Sequence, residues 1–173
     1  MSASKKKSPP PERFLVLLRH GIAEDASPEK KDEDRGLTAE GHARMKEIAR
    51  GLESILPKVE AIYSSPLLRA VQTSLWVSKA YRSRAEIKTV EALAPGATAK
   101  QFRALLQSIG EQRAVLVGHE PGLTGLLREM VKLDGPESFE LKKGGCYGVR
   151  VASDGTAVLE WLLPPRLLRK LGR

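Results

Sequence analysis

The chain has 173 residues, of which 41% are hydrophobic and 29% charged, and its formal net charge is +8. This composition is typical of one soluble globular domain, and no apolar run reaches the roughly 20 residues that a membrane-spanning helix needs. The excess of positive charge lies in residues 1–13 and 164–173, which argues against a nucleic-acid-binding face in between. The sequence predicts a disordered basic leader over residues 1–12 and one folded domain over residues 13–173.

Predicted strands and helices alternate along this domain. The apolar run at residues 14–18 predicts a strand buried on both faces. Thr38 is the predicted N-cap of the next helix, which should end before Pro57. The later elements are strands at 61–63, 86–90 and 114–117, helices beginning at Ser65-Pro66, Thr98 and Pro121, a hairpin around residues 153–155, and a short helix at 167–171. The alternation predicts an α/β fold, a three-layer sandwich with a mostly parallel central sheet and helices on both faces.

Polar residues follow three of these predicted strands. Arg19-His20-Gly21 comes directly after the first strand, Arg69 lies at the start of the helix after the second, and His119 follows the fourth. Ligands of such sheets bind beyond the carboxyl ends of the strands, so we expect these side chains to converge. Guanidinium groups match the oxygens of a phosphoryl group, Gly21 lets the backbone approach that group, and a neutral imidazole can carry it covalently.

Three motifs in this order resemble the histidine phosphatase, or phosphoglycerate-mutase-like, superfamily. They are Arg19-His20-Gly21, Ser-Ser-Pro-Leu-Leu-Arg-Ala-Val-Gln-Thr at residues 64–73 and Val-Gly-His-Glu-Pro-Gly-Leu at residues 117–123. The short chain and the Arg-Gly-Leu-Thr-Ala-Glu-Gly segment at residues 35–41 are similar to the SixA-type phosphohistidine phosphatases. The resemblance covers roughly residues 14 to 171, and it implies the superfamily's α/β sandwich with one antiparallel edge.

The resemblance also implies roles for individual residues. His20 would be the nucleophile that becomes phosphorylated, Arg19 and Arg69 would bind the phosphoryl oxygens, and His119 would complete the charged pocket. Arg35 would lie near the rim and contact the substrate. We expect no cofactor, and no metal site either, because the three histidines and the single cysteine lack metal-ligand spacing.

The sequence does not decide between a phosphohistidine and a phosphoester substrate, because the role of Glu91 is open. An alkoxide leaving group needs a general acid, whereas an imidazole, with a reference pKa of about 6.5, leaves with little help. Many superfamily members that act on esters place a carboxylic acid after the third strand, where Glu91 stands, but the SixA-type branch is thought to work without one. The substrate is therefore a phosphohistidine protein or, alternatively, a small phosphoester with Glu91 as acid; an inactive phosphate-binding adaptor is a third possibility.

The spacing of the motifs favours the protein substrate. The chain between Arg69 and Glu91, and between Glu91 and His119, is filled by one helix and one strand, which leaves no room for a lid over the pocket. The lone Cys146 excludes an internal disulfide and suits a cytoplasmic protein. We expect a monomer that binds neither nucleic acid nor a membrane.

Overall fold

The computed structural model describes residues 12–82, 86–133 and 140–173; residues 1–11 of the predicted leader lie outside this part of the chain. The six strands are β1 (Arg13–Arg19), β2 (Ala61–Ser64), β3 (Glu86–Thr89), β4 (Arg113–Gly118), β5 (Cys146–Val151) and β6 (Ala157–Leu163). The five α-helices are α1 (Ala39–Ile55), α2 (Leu68–Ala80), α3 (Ala99–Ser108), α4 (Gly122–Val131) and α5 (Pro165–Leu171). Two single turns of 3-10 helix, Asp32–Asp34 and Glu91–Leu93, lie in loops.

The strands form one sheet in the order β3-β2-β4-β1-β5-β6. The first four strands of this order are parallel, and β5 and β6 continue the sheet in antiparallel pairs. Arg19 pairs with Gly118 at the end of β1 and β4, and Ser64 pairs with Val117 at the end of β2. The predicted, mostly parallel sheet is confirmed, and its register brings three functional strand ends side by side.

Helices cover both faces of the sheet because the central strands are apolar on both sides. Leu15 and Leu17 of β1 pack with Phe102 of α3 and Leu126 of α4. The alternate residues of β1 pack on the opposite face with residues from α1, α2 and α5, among them Met45, Val77 and Leu168. The side chains of a strand point alternately to its two faces, so one continuous apolar run supplies both halves of the core.

The start of α2 differs from the prediction. The helix begins at Leu68 rather than at Ser65-Pro66, and Leu67 occupies the N-cap without a side-chain hydrogen bond. The Ser65 hydroxyl is instead hydrogen-bonded to His119 Nε2 at 2.8 Å, and it accepts a weaker bond from the Leu67 N–H at 3.3 Å. The prediction of a Ser65 cap was therefore wrong, because a contact with a distant histidine takes that hydroxyl away from the helix.

Among the described residues, none of the helices combines the length and the hydropathy that crossing a bilayer requires.

Candidate active site

Two histidines lie next to each other at the carboxyl ends of β1 and β4. The backbone N–H of His20 donates to the carbonyl of Gly118 at 3.1 Å, and the imidazole centroids of His20 and His119 are 4.9 Å apart. Both side chains are buried, with 7% and 6% of their surface exposed. Because the two residues follow paired positions of adjacent parallel strands, the sheet itself fixes their separation.

The hydrogen bond of His20 identifies its tautomer. His20 Nδ1 lies 2.8 Å from the carbonyl oxygen of Gly21, which can only accept, so the proton of the neutral ring is on Nδ1. Burial, followed by the positive charges of His119 and Arg69, lowers the pKa of His20 to about 3. At neutral pH the ring is therefore uncharged, and its Nε2 carries a lone pair.

His119 is held in a similar environment through the other ring nitrogen. Its Nε2 is engaged by the Ser65 hydroxyl, so Nδ1 is the nitrogen that remains for a ligand. Burial, and then the charge of Arg69, lowers the pKa of His119 to about 4. Two neutral imidazoles thus form the base of the site, one with a defined nucleophilic nitrogen.

Arg69 projects from the second residue of α2 and is only 4% exposed. Its Nη1 donates to the backbone carbonyl of Asp32 at 2.7 Å, and its Nη2 donates to Asp32 Oδ2 at 2.9 Å. The Thr73 hydroxyl ties the same helix to the histidine loop: it donates to the Arg69 carbonyl at 2.7 Å and accepts from the Gly21 N–H at 3.1 Å. The orientation of Arg69 is thereby coupled to the backbone that holds His20.

Arg35 reaches the site through the same carboxylate. Its Nε and Nη2 donate to Asp32 Oδ1 at 2.9 and 2.5 Å, and its Nη1 donates to the Glu24 carbonyl at 2.6 Å. Hydrogen bonds from Arg35 and Arg69 hold the pKa of Asp32 below its ordinary value. Arg35 therefore sits behind Asp32, at the rim where it was predicted; its contact with a substrate stays a prediction.

Asp32 is a site residue that the sequence did not single out. It lies in the acidic and basic run of residues 30–35, where Asp32, Glu33 and Asp34 are alike in type. No periodic signal distinguishes the acid that meets Arg69, since the contact joins residues 37 positions apart. The only hint is that Asp32 precedes Arg35 by three residues, within reach of one helical turn.

Arg19 binds a second carboxylate on the other side of the site. Its Nη1 donates to Glu140 Oε1 at 2.8 Å and to the carbonyl of Leu141, whose N–H in turn donates to Glu120 at 3.0 Å. Arg19 Nε is buried and has no hydrogen-bond partner among the described residues. A buried guanidinium N–H without an acceptor is costly, so this atom points to a ligand oxygen that completes the site.

Glu120 was also missed from the sequence. One carboxylate oxygen accepts from the Thr124 N–H and the other from the Thr124 hydroxyl and the Leu141 N–H. It therefore joins the start of α4 to the segment whose carbonyl binds Arg19. Its position directly after His119 was visible in the sequence, but the partner at Leu141 was not.

Glu91 and Gly21 are the two remaining site residues predicted from the sequence, and they lie in different environments. Glu91 follows β3 and is exposed, and its side chain makes neither a hydrogen bond nor an ion pair within the described part of the chain. Gly21 is closely packed, since a Cβ there would lie 2.6 Å from Met45 Cγ and the Met45 side chain would have to shift, and its N–H already donates to the Thr73 hydroxyl. A catalytic role for Glu91 and a substrate-binding role for Gly21 stay predictions.

The assembled groups suit one class of ligand. Two guanidinium groups, one with an unpartnered buried N–H, surround two neutral imidazoles, one of which presents a lone pair. Such a set can bind a tetrahedral oxyanion and attack its central atom. In residues 12–82, 86–133 and 140–173, no group of three His, Cys, Asp or Glu side chains is placed to hold a metal ion.

Comparison with known proteins agrees with this geometry. A model of the histidine phosphatase superfamily, branch 1, matches residues 15–94, which include Arg19, His20, Arg69 and Glu91. An uncharacterised protein of Picosynechococcus sp. is 34% identical over 139 residues, which cover 79% of this chain and 84% of that protein. The chain belongs to the histidine phosphatase superfamily.

Solved structures extend the likeness to the whole fold. The protein histidine phosphatase SixA in complex with tungstate has a TM-score of 0.79 at 23% identity, over 90% of this chain and 99% of that chain. A protein assigned as phosphohistidine phosphatase SixA in Agrobacterium tumefaciens has a TM-score of 0.76 at 25% identity, over 88% of this chain and 98% of that chain. The predicted resemblance to SixA-type members of the superfamily is confirmed.

Proposed function

We propose that this protein is a phosphatase that removes phosphoryl groups from histidine residues of a protein substrate, through a phosphohistidine on His20. The observation that carries the proposal is the hydrogen bond from His20 Nδ1 to the Gly21 carbonyl. It places the lone pair on Nε2 in a buried site bordered by Arg19 and Arg69. A neutral imidazole with a fixed tautomer is the form in which histidine acts as a nucleophile.

The first step is an in-line attack on the substrate phosphorus. The lone pair of His20 Nε2 forms the new N–P bond, and the bond to the leaving imidazole breaks with its electron pair returning to that ring. Arg69, the free Nε of Arg19 and the Nδ1 side of His119 stabilise the charge on the equatorial oxygens. The departing imidazole takes a proton from solvent.

The second step hydrolyses the phosphorylated enzyme. Water attacks the phosphorus, the N–P bond breaks with its electrons returning to His20 Nε2, and the water proton passes to solvent or to the product phosphate. The Gly21 carbonyl keeps the Nδ1 proton in place throughout, so His20 is regenerated in the tautomer that starts the next cycle. The protein supplies the positive charge for both steps through its own arginines.

Two observations favour phosphohistidine over an ester. An imidazole leaving group needs no strong acid, and the side chain of Glu91, the one candidate acid, has no hydrogen-bond partner among the described residues that would orient it. The two SixA proteins of similar fold are named for histidine phosphatase activity, and one of them binds tungstate, a tetrahedral oxyanion. The ester alternative rests on the position of Glu91 after β3, at the same edge of the sheet.

The decisive experiment compares His20→Ala with His20→Asn. The asparagine amide keeps a donor for the Gly21 carbonyl but has no nucleophilic nitrogen, so both variants should lose turnover of a phosphohistidine protein and of phosphoramidate. Wild type incubated with radiolabelled phosphoramidate should carry acid-labile phosphate on His20. Turnover by His20→Asn at the wild-type rate, or label on another residue, would contradict the proposal.

A further inference from the structure

A groove runs between α1 and α2, on the helical layer that also positions Arg69. One cavity of about 350 Å³ is lined by Lys46, Arg50, Glu53, Trp76, Lys79, Ala80 and Arg82. A second cavity of about 240 Å³ shares Trp76 and Lys79 and continues to Gln72 and Leu75. We call these two neighbouring cavities, which have Trp76 and Lys79 in common, the α1–α2 groove.

The groove has a large excess of positive charge. Lys46, Arg50, Lys79 and Arg82 are exposed, and none of them forms an ion pair with a described residue. Glu53 is the single acid in the lining of the larger cavity. Four unpaired cations around one carboxylate repel each other, and an anionic partner would relieve that repulsion.

The charged residues of α1 that lie outside the groove form ion pairs. Arg44, on α1, is paired with Glu40 one turn earlier. Glu47, also on α1, pairs with Arg169 at 2.6 Å and with Arg173 at 3.0 Å. The lack of carboxylate partners is therefore a property of the groove and not of α1 as a whole.

One end of the groove, at Gln72, lies one turn of α2 away from Arg69. The Oε1 of Gln72 accepts from the Leu37 N–H at 2.6 Å, two residues beyond Arg35. From Arg69 to Lys79, α2 rises about 15 Å at 1.5 Å per residue. An extended segment of about five residues covers that distance, at about 3.3 Å per residue. A chain whose phosphoryl group is bound by Arg69 can therefore lie along the groove.

The apolar part of the lining narrows the choice of partner. Leu75 is 55% exposed, and Lys79 Nζ lies 5.2 Å from the centroid of the Trp76 ring. The Trp76 indole N–H is already donated to His42 Nδ1 at 3.0 Å, so the ring offers mainly its apolar surface. Carboxylates spaced among apolar side chains match this combination of cations and apolar surface.

We propose that the α1–α2 groove docks an acidic segment of the phosphoprotein substrate, next to the residue whose phosphoryl group enters the active site. The proposal rests on the phosphatase function given above and adds to it the chemistry of the substrate surface. A protein segment fits better than a nucleic acid, because the exposed Leu75 offers apolar surface that matches the apolar side chains of a peptide and has no counterpart in a phosphate backbone. It fits better than a bilayer, because the apolar residues line a cleft between helices.

The test uses two phosphohistidine peptides of equal length that differ only in the segment beside the phosphohistidine. One carries alternating Glu and Leu, and the other carries Gln in place of each Glu. The groove variant is Lys46→Glu/Arg50→Glu. The matched control is Lys58→Glu/Lys100→Glu, which changes the net charge equally at two exposed lysines without ion pairs among the described residues.

Wild type should hydrolyse the acidic peptide with a kcat/KM about tenfold above that of the neutral peptide, mainly through a lower KM, which corresponds to about 1.4 kcal/mol. The groove variant should lose this preference and the control should keep it. All three proteins should turn over phosphoramidate equally, and failure of that turnover would count against the phosphatase function instead.

Three results would overturn the docking proposal. The first is equal kcat/KM for both peptides in wild type, and the second is equal loss of preference in the groove variant and the control. The third is binding of phosphatidylglycerol vesicles or of a single-stranded oligonucleotide that the groove variant loses while the peptide preference survives.

Discussion

The floor of the active site, which we call its base, and the rim of the active site are held in place by different kinds of contact. The base consists of His20, His119 and Ser65, which are buried at strand ends and held by the sheet and by one another. The rim consists of Asp32 and Glu140, two exposed acids that bind the arginines from loops. The contacts of the base keep the two histidines neutral. The carboxylates of the rim pair with Arg69 and Arg19, whose guanidinium groups bind phosphoryl oxygens in the proposed reaction.

This difference suggests how a substrate enters. A phosphoryl group, like a carboxylate, is an anion whose oxygens can accept a pair of hydrogen bonds from a guanidinium, so we expect it to compete with Asp32 and Glu140 for the same donors. The histidines need no rearrangement, because neither contacts a carboxylate directly. We therefore expect changes at the base to affect chemistry, and changes at the rim to affect mainly binding.

Outside the two histidines, the largest effect should follow replacement of Arg69, which is paired with Asp32 of the rim and lies close to His20 of the base. Arg69→Ala removes a buried guanidinium whose charge would stabilise the transition state, and we expect kcat/KM for phosphoramidate to fall about 10²–10³-fold. Arg69→Lys should recover only part of the loss, since an ammonium cannot bind two oxygens side by side. Arg103→Ala, at an exposed arginine of α3, is the control; a similar loss in that variant would show that charge alone is responsible.

The two buried histidines of the base should make the free energy of unfolding depend on pH. His20 and His119 have folded-state pKa values of about 3 and about 4 against 6.5, so the unfolded chain binds more protons below pH 6.5. The free energy of unfolding should then fall with decreasing pH, by about 2 kcal/mol for each histidine between about pH 7 and about pH 5.

Urea unfolding of wild type and of His20→Asn/His119→Asn at about pH 7 and about pH 5 measures this difference. The double variant should lose clearly less stability than wild type on acidification. Identical losses in the two proteins would mean that the histidines titrate normally in the folded state.

The two histidines of the base were visible in the sequence, whereas the carboxylates of the rim were not. His20, Arg69 and His119 come after short apolar runs that are typical of buried strands, and the rule that parallel strands end at one edge brings them together. Asp32 and Glu120 act through partners far along the chain, which no local pattern encodes. The prediction of where α2 begins was wrong for the same reason. The hydroxyl of Ser65 forms its hydrogen bond with His119, which is distant in sequence, and does not cap the helix.

The rim should respond to Asp32→Asn with tighter anion binding. The amide still accepts one hydrogen bond but no longer competes as a charge for Arg69. Because the Asp32 side chain is more than half exposed, the ion pair that is lost is worth up to about 1 kcal/mol. We expect the inhibition constant of tungstate to fall by up to about fivefold, with kcat little changed. Asp25→Asn, an exposed acid of the same loop, is the control. Weaker binding of tungstate would show that Asp32 serves to orient Arg69 and does not compete with the ligand.

The smallest effect on the proposed reaction should come from Glu91→Gln. If the leaving group is an imidazole, loss of a carboxylic acid leaves kcat/KM for phosphoramidate and for a phosphohistidine peptide unchanged within about twofold, because no alkoxide must be protonated. A phosphoester such as p-nitrophenyl phosphate is an insensitive probe, since its phenolate leaves readily, so an alkyl phosphate is the informative ester. A fall of 10²-fold or more with the alkyl ester would give Glu91 the role of general acid and favour the ester alternative. An unchanged, slow alkyl ester rate would leave Glu91 as an exposed loop residue beside β3, and the base of the site would then account for the chemistry alone.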